Sequence, residues 1–311
     1  MKTVYPIIQL APLARDRAEP MGTKEKFWFE HSDGKRWLFK FNRVGHGEDW
    51  SERIASGIAD LLRLSHARVE LASFEGRPGI VSQDFTDRGR LSLVHGNELL
   101  IMLVDPQYPR GQNYRVTAHT VERVFSILGQ DWVTRPDGIS ASPGIVDATD
   151  VFAGYLVLDA LVGNTDRHHE NWAVVVPSHD AGGAMRRREV RLAPTYDHAS
   201  CLSFNLTDAE RLDRLAPGGN RSVETFADKA VSKLYLDVTA SKSLSPLAAF
   251  VEATNRKPAT RRAWIQRVRQ VGDEEIRAVI EPVPELRMSS AAREFAYALL
   301  RLNRARILGL D

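Results

Sequence analysis

The sequence has a single cysteine, Cys201, in 311 residues. No intramolecular disulfide and no cysteine-rich zinc site is possible, and a reducing compartment fits that usage. No run approaches the roughly 18 apolar residues of a membrane span. Near the N-terminus the apolar stretch Val4–Leu13 is broken by Pro6, Gln9 and Pro12, which makes a poor signal peptide. Charge of one sign is also lacking: 42 basic residues face 40 acidic ones, for a net +2. That balance carries no global nucleic-acid footprint, and direct nucleic-acid binding is not expected. The arginines of the C-terminal quarter (Arg256, Arg261, Arg262, Arg267) read as a solvated helix face. Internal repeats and long low-complexity segments are missing too. What remains is 43% hydrophobic and 26% charged, a mixture that can bury a real core. A cytoplasmic protein without a membrane partner is the expectation.

The first part, to about Phe85, reads as strands with one helix. Phe27–Glu30 and Arg36–Phe41 are aromatic and apolar runs around Asp33-Gly34, a hairpin signal. Apolar residues at 54, 55, 58, 61 and 62 give helical spacing over Asp49–Leu62. Val69–Phe74 and Gly79–Ser82 read as strands joined by a turn at Gly76-Arg77-Pro78. The second part is mostly helical: Thr120–Leu128, Ala148–Val162, Ser222–Leu236, Pro246–Ala253, Thr260–Val271, Asp273–Ile280 and Ser290–Ile307. A strand-rich island, Trp172–Val176 and Glu189–Leu192, interrupts it, with a turn through Pro177–Gly183. The expected class is α+β, with a cleft where the strand-rich residues 1–85 meet the helical residues 86–311.

The chemistry concentrates in Gly163-Asn164-Thr165-Asp166-Arg167-His168-His169-Glu170-Asn171-Trp172. Asp166 and Asn171 are five positions apart, between a helix and a strand. That spacing suits phosphoryl transfer from ATP: one carboxylate accepts the proton of an attacking hydroxyl, and an amide oxygen a short loop away holds Mg2+ on the phosphates. A second carboxylate on that metal is expected after a hairpin, and Asp197 in Pro194-Thr195-Tyr196-Asp197 supplies it. Upstream, Lys40 ends a strand-like run and Glu52 lies early in the next helix, a plausible lysine–glutamate pair for the α/β-phosphates. Pro20–Lys26 lies where a phosphate-covering loop belongs, although it holds one glycine only. Gln83, Asp84 and Phe85 fall where a strand leads into an inter-lobe hinge, and their backbone could meet adenine.

Each of these residues also has a plainer reading. Asp166, Asn171 and Asp197 could be capping residues of loops and turns. Lys40 could be an edge-strand lysine that prevents pairing. Glu52 could be a solvated first-turn glutamate favoured by the helix dipole. His168, His169 and His198 with the aspartates invite a zinc reading, but adjacent histidines converge on one ion only with unusual backbone geometry. His168, counted with the catalytic residues, more naturally braces the loop. Asp159, in an apolar helix, more naturally anchors it.

From about residue 20 to 235 the order of motifs resembles the HipA-like kinases. That family's Gly-x-x-x-Lys loop is matched by Gly22 and Lys26, its Asp-x-His-x-x-Asn segment by Asp166, His168 and Asn171, and its Pro-x-Tyr-Asp segment by Pro194, Tyr196 and Asp197. The resemblance implies a bilobal protein-kinase-like fold with ATP and Mg2+ as cofactors. It implies phosphate-loop contacts from Gly22, Thr23 and Lys26 and metal ligands Asn171 and Asp197, to which the residues' own positions add Lys40, Glu52, Gln83 and Phe85 as nucleotide contacts. It implies transfer to protein Ser/Thr, of the toxin type; a lipid or small-molecule kinase and a non-catalytic kinase-fold antitoxin or scaffold are the alternatives. Larger members carry an extra N-terminal subdomain that contacts a DNA-binding antitoxin; this chain reads as a short form without it, and a small antitoxin is a possible partner. Some members autophosphorylate a serine just before the loop glycine and lose activity. Residues 18–26 contain no serine, and Glu19 lies near that place, so Thr23 is the loop's one hydroxyl.

Overall fold

The computed structural model describes residues 4–12, 17–18, 25–31, 34–86, 90–178, 190–218 and 221–311. Gly22 and Thr23, with the rest of the expected phosphate loop before Glu25, lie outside the described residues, as does most of the turn between Pro177 and Val190.

A six-stranded sheet runs in the order β1 (Ile8–Leu10), β5 (Val69–Phe74), β6 (Arg77–Gln83), β4 (Arg36–Phe41), β3 (Lys26–Glu30) and β2 (Arg17–Ala18). Strand periodicity divides β3 and β4 into two faces. Phe27, Phe29, Trp37, Phe39 and Phe41 join an aromatic cluster with Phe74. Lys26, Trp28, Leu38 and Lys40 point the other way and line a cleft. In register Lys26 opposes Lys40 and Trp28 opposes Leu38. Helix α1 (Glu48–Leu61) packs against β5 and β6 through apolar residues that include Ile54 and Ile58.

The turn between β5 and β6 is a correction. It sits at Glu75 and Gly76, both at positive φ (50° and 75°), and Arg77-Pro78 already belong to β6. Two left-handed central residues match the strands' right-handed twist, which a turn one residue later would not.

Beyond residue 86 come β7 (Leu91–His95), α2 (Gly96–Leu103), α3 (Val121–Leu128), β8 (Val133–Thr134), α4 (Ala148–Val162), β9 (Ala173–Pro177) and β10 (Val190–Leu192). The strands form a second sheet, β7-β9-β10-β8. Helices α5 (Asp208–Leu215), α6 (Val223–Asp228), α7 (Pro246–Thr254), α8 (Pro258–Arg269), α9 (Asp273–Ile280) and α10 (Ser290–Leu308) complete the chain. Helix α4 is buried along its whole length and packs mainly on α7 and α10. Gly154 makes room there for the Trp264 indole, whose Nε1 donates to Asp150 O at 2.7 Å.

The helix expected over Ser222–Leu236 stops at Asp228. Past that point the backbone bonds elsewhere: Tyr235 N donates to His119 O at 2.9 Å, and the Ser232 hydroxyl accepts from Leu234 N at 3.1 Å. A serine side chain competing for local amides, plus a tertiary bridge, outweighs apolar spacing. The elements β7, α2 and α5 had no counterpart in the sequence reading. For α5 a signal existed, since Thr207 and Glu210 form a reciprocal capping box. Among the described residues, no helix is long and apolar enough to cross a membrane.

Candidate functional site

Helix α4 delivers the loop that carries Asp166. The helix ends at Gly163, whose φ of 67° is the left-handed cap a side chain disfavours. The Asn164 amide donates to Asp159 Oδ1 at 2.8 Å, and Asn164 Oδ1 accepts from Asp166 N at 3.1 Å. Asp159 thus anchors the loop and stays away from the cleft.

The residue the sequence reading passed over is Arg167. It is fully buried and forms a forked pair with Asp159, Nε to Oδ2 at 2.7 Å and Nη2 to Oδ1 at 2.8 Å. It also donates to Asn171 O and to Thr195 Oγ1 (3.1 Å), and lies 3.0 Å from His198 Nε2. One guanidinium therefore joins α4, the Asp166 loop and the Asp197 segment. A planar donor fork with a matched carboxylate is the form in which a buried arginine is tolerated. Burial first, then the Arg167 charge, pushes His198 well below the ordinary histidine range. Its Nε2 is consequently an acceptor for Arg167.

Within the loop the Asn171 amide donates to Asp166 O at 2.7 Å, which fixes the two residues relative to each other. Asp197 sits at φ 59°, a left-handed turn for a non-glycine residue. Its Oδ1 accepts from Lys40 Nζ at 3.0 Å, and Lys40 lies 3.5 Å from Glu52 Oε1. Burial alone would lower the Lys40 pKa, but the charges of Asp197 and Glu52 outweigh it and raise it. The plainer readings of these residues fail on geometry. Lys40 is on β4, an interior strand between β6 and β3, not on an edge. Glu52 is only 2% exposed, so it is not a solvated first-turn residue. Helix α1 is itself pinned to the chain after Asp197: Ser51 Oγ lies 3.0 Å from both Ala199 O and Cys201 O, and Gly47 N donates to Phe204 O at 2.7 Å.

Lys40, Asp166, Asn171 and Asp197 meet at one cleft of about 550 Å3, whereas Glu52 does not line it and reaches it only through Lys40. Lys26, Lys40, Gln83, Phe85, Asp166, His168, Asn171 and Asp197 all line it. At the hinge the Gln83 and Asp84 amides are taken by the Arg68 and Arg36 carbonyls (2.9 Å each). Those two donors are therefore already satisfied within the sheet and its edge. Phe85 also stacks loosely on Tyr196, with ring centroids 5.9 Å apart. Tyr196 and His95 are further lining groups; Tyr196 OH donates to Glu170 O at 2.7 Å. His168 Nδ1 accepts from Glu170 N at 3.2 Å, a loop brace. Burial lowers the His168 pKa against the opposing pull of Asp166 and Asp197.

The three histidines of the zinc reading diverge. His169 bonds Tyr108 and Asn113, at 2.8 and 2.7 Å, while His198 faces Arg167. Among the described residues no group of three His, Cys, Asp or Glu could hold a metal ion. Asn171 and Asp197 instead offer oxygen donors on one cleft wall, the hard donor type that magnesium takes from a protein when phosphates and water complete its shell. The residues present fit that ion.

A strand-rich lobe and a mostly helical lobe around such a cleft define a bilobal, protein-kinase-like α+β fold. The chain belongs to the HipA-like C-terminal domain family, whose model matches residues 18–274. The resemblance read from the motifs is thereby borne out. Among solved structures it is similar to the Helicobacter pylori proinflammatory kinase CtkA, at 20% identity and a TM-score of 0.73 over 98% of this chain and 97% of that one. It is also similar to HipA of Shewanella oneidensis, solved with HipB and operator DNA, at 16% identity and a TM-score of 0.59 over 96% of this chain and 67% of that one. No curated protein matches the sequence significantly.

Proposed function

We propose that the chain is an ATP- and magnesium-dependent phosphotransferase acting on a protein serine or threonine. The observation that carries this reading is Lys40, held between Glu52 and Asp197 in the cleft that Asp166 and Asn171 also line. The lobes divide near Phe85, and the nucleotide lies between them. Trp28, Leu38 and Phe85 would hold its base, and Lys26 and Lys40 its phosphates. Asn171 and Asp197 would hold magnesium, which would supply positive charge to offset that of the phosphates. The acceptor oxygen attacks the γ-phosphorus, the β–γ bridging oxygen leaves with ADP, and the hydroxyl proton passes to the Asp166 carboxylate. His168 keeps the Asp166 turn in shape through the Glu170 amide. A lipid or small-molecule acceptor uses the same groups, so the acceptor class is the finer part of the proposal. A non-catalytic scaffold is disfavoured because base, metal residues and lysine are all present. The toxin reading, with a small antitoxin and a cytoplasmic setting, rests on the HipA neighbour alone.

The test is Asp166→Asn. Mg·ATP affinity should stay within about threefold while kcat falls at least about a hundredfold. Wild-type turnover in that variant would remove Asp166 as the base. Asp197→Ala should abolish the magnesium dependence of nucleotide binding in calorimetry, and an unchanged dependence would remove Asp197 as a ligand.

A further inference from the structure

A second cavity, of about 720 Å3, meets the cleft at Ser200, which lines both. Thr165, the residue before Asp166, forms part of its wall. Phe226 and Ala227 from α6, Leu247 from α7 and Leu299 from α10 form an apolar part of the wall, and Asn205, Lys229 and Asn303 a polar part. At its edge Arg306 pairs with Asp228, Nη2 to Oδ1 at 2.7 Å. Apart from Ser200, none of these residues lines the nucleotide cleft.

In-line transfer brings the acceptor to the phosphorus from the side opposite the leaving oxygen. An acceptor reaching Asp166 by way of Ser200 has this cavity beside it. The volume falls in the range of ligand pockets, roughly 300–1,000 Å3, and far exceeds what one hydroxymethyl group fills. We propose that the cavity anchors the phosphoacceptor polypeptide by taking a large apolar side chain that flanks the acceptor hydroxyl. This deepens the phosphotransferase reading and rests on it. A polyol could bond Asn205, Lys229 or Asn303 on the polar side of the wall, but on the apolar side its hydroxyls would lie against Phe226, Ala227, Leu247 and Leu299 without partners. A membrane lipid is a poor occupant as well. Anionic bilayers attract clusters of lysine and arginine, whereas this cavity is lined by two cations only, Lys229 and Arg306, and Arg306 is paired with Asp228. A leucine, methionine or phenylalanine beside a serine or threonine satisfies both conditions.

The full chain with Mg·ATP is tested on an oriented library of serine- and threonine-centred peptides. Wild type should prefer Leu, Met or Phe over Asp at one flanking position by at least about tenfold, the discrimination an apolar pocket can supply. Ala227→Trp and Leu247→Trp fill the cavity from two half-buried positions on different helices. Each should lower peptide kcat/KM at least about tenfold and flatten that preference. Mg·ATP binding and the thermal midpoint should stay at wild type. Two positions keep a readout should one tryptophan disturb folding. A folded variant with wild-type peptide selectivity overturns the anchor, and so does a wild type with no apolar preference. Wild-type transfer to myo-inositol or phosphatidylinositol vesicles, with none to the peptides, overturns the polypeptide occupant. Failure of wild type to bind Mg·ATP would instead sink the phosphotransferase reading, and the anchor with it.

Discussion

The two walls of the cleft rest on different supports. On the sheet side, Lys26, Trp28, Leu38 and Lys40 share a direction because alternate residues of a strand do. Their positions need only register, which the main-chain ladder supplies. On the other side Asp166, Asn171 and Asp197 stand on irregular chain, one of them at positive φ. No ladder fixes them. The buried Arg167–Asp159 pair, with its bonds to Asn171 O and Thr195, takes that role. Irregular backbone that must hold a geometry needs a buried polar network, and such a network has to be satisfied throughout. The sheet side should therefore tolerate change better than the loop side.

The sharpest way to break this contrast is Asp159→Ala. It leaves the Arg167 guanidinium buried without its carboxylate and should cost about 3–5 kcal/mol of unfolding free energy in urea titration. A loss of about 1 kcal/mol or less would show that the loop does not depend on the pair. Lys40→Met removes a charged group that joins both walls. Mg·ATP affinity by calorimetry should fall at least about tenfold, or about 1.4 kcal/mol. Unchanged affinity would mean that the bridge to Asp197 is structural only. Leu38→Ala, a half-buried side chain on the ladder side, should cost only about 1 kcal/mol in the same urea titration. A cost matching Asp159→Ala would erase the difference between the walls.

The smallest effect at neutral pH comes from His119, behind the loop. Its Nε2 accepts from Trp172 Nε1 at 3.1 Å, so its Nδ1 carries the proton toward Lys233 O at 3.0 Å. Tryptophan can only donate, so protonating Nε2 breaks that bond. Burial, then the neighbouring His169, pushes the His119 pKa down from 6.5 to about 3. With a lowered folded pKa, the unfolded chain takes up the proton first. The contribution is full above pH 6.5 and is lost as pH falls toward about 3. His119→Gln should flatten the acid limb of stability against pH by up to about one proton's slope in that window. Parallel acid limbs for the two proteins would contradict it.

Much of this was legible before the structure. The hairpin of β3 and β4 follows from two aromatic runs around Asp33-Gly34, and the helix over Ala148–Val162 from its apolar spacing. The candidate loop residues followed from their own spacing. Arg167 was hidden because its partners, Asp159, Asn171, Thr195 and His198, come from three separate segments, and nothing local marks an arginine as buried. The shortened α6 was hidden because the carbonyl that claims Tyr235 N belongs to His119. The strand β7 was missed because it is defined by pairing with β9, about eighty residues later.

By itself the sequence determined what repeats or terminates locally: the two faces of β3 and β4, the left-handed stop at Gly163, and the five-residue step from Asp166 to Asn171. Short-range sterics and side-chain periodicity govern those features, and neither needs a distant partner. Only the tertiary structure decided that Lys40 meets Asp197 across 157 residues, that one arginine serves three segments, and that a second cavity opens beside Asp166. Those depend on how α1, α4 and the chain after Asp197 pack together, a property of the whole core that no local stretch of residues encodes.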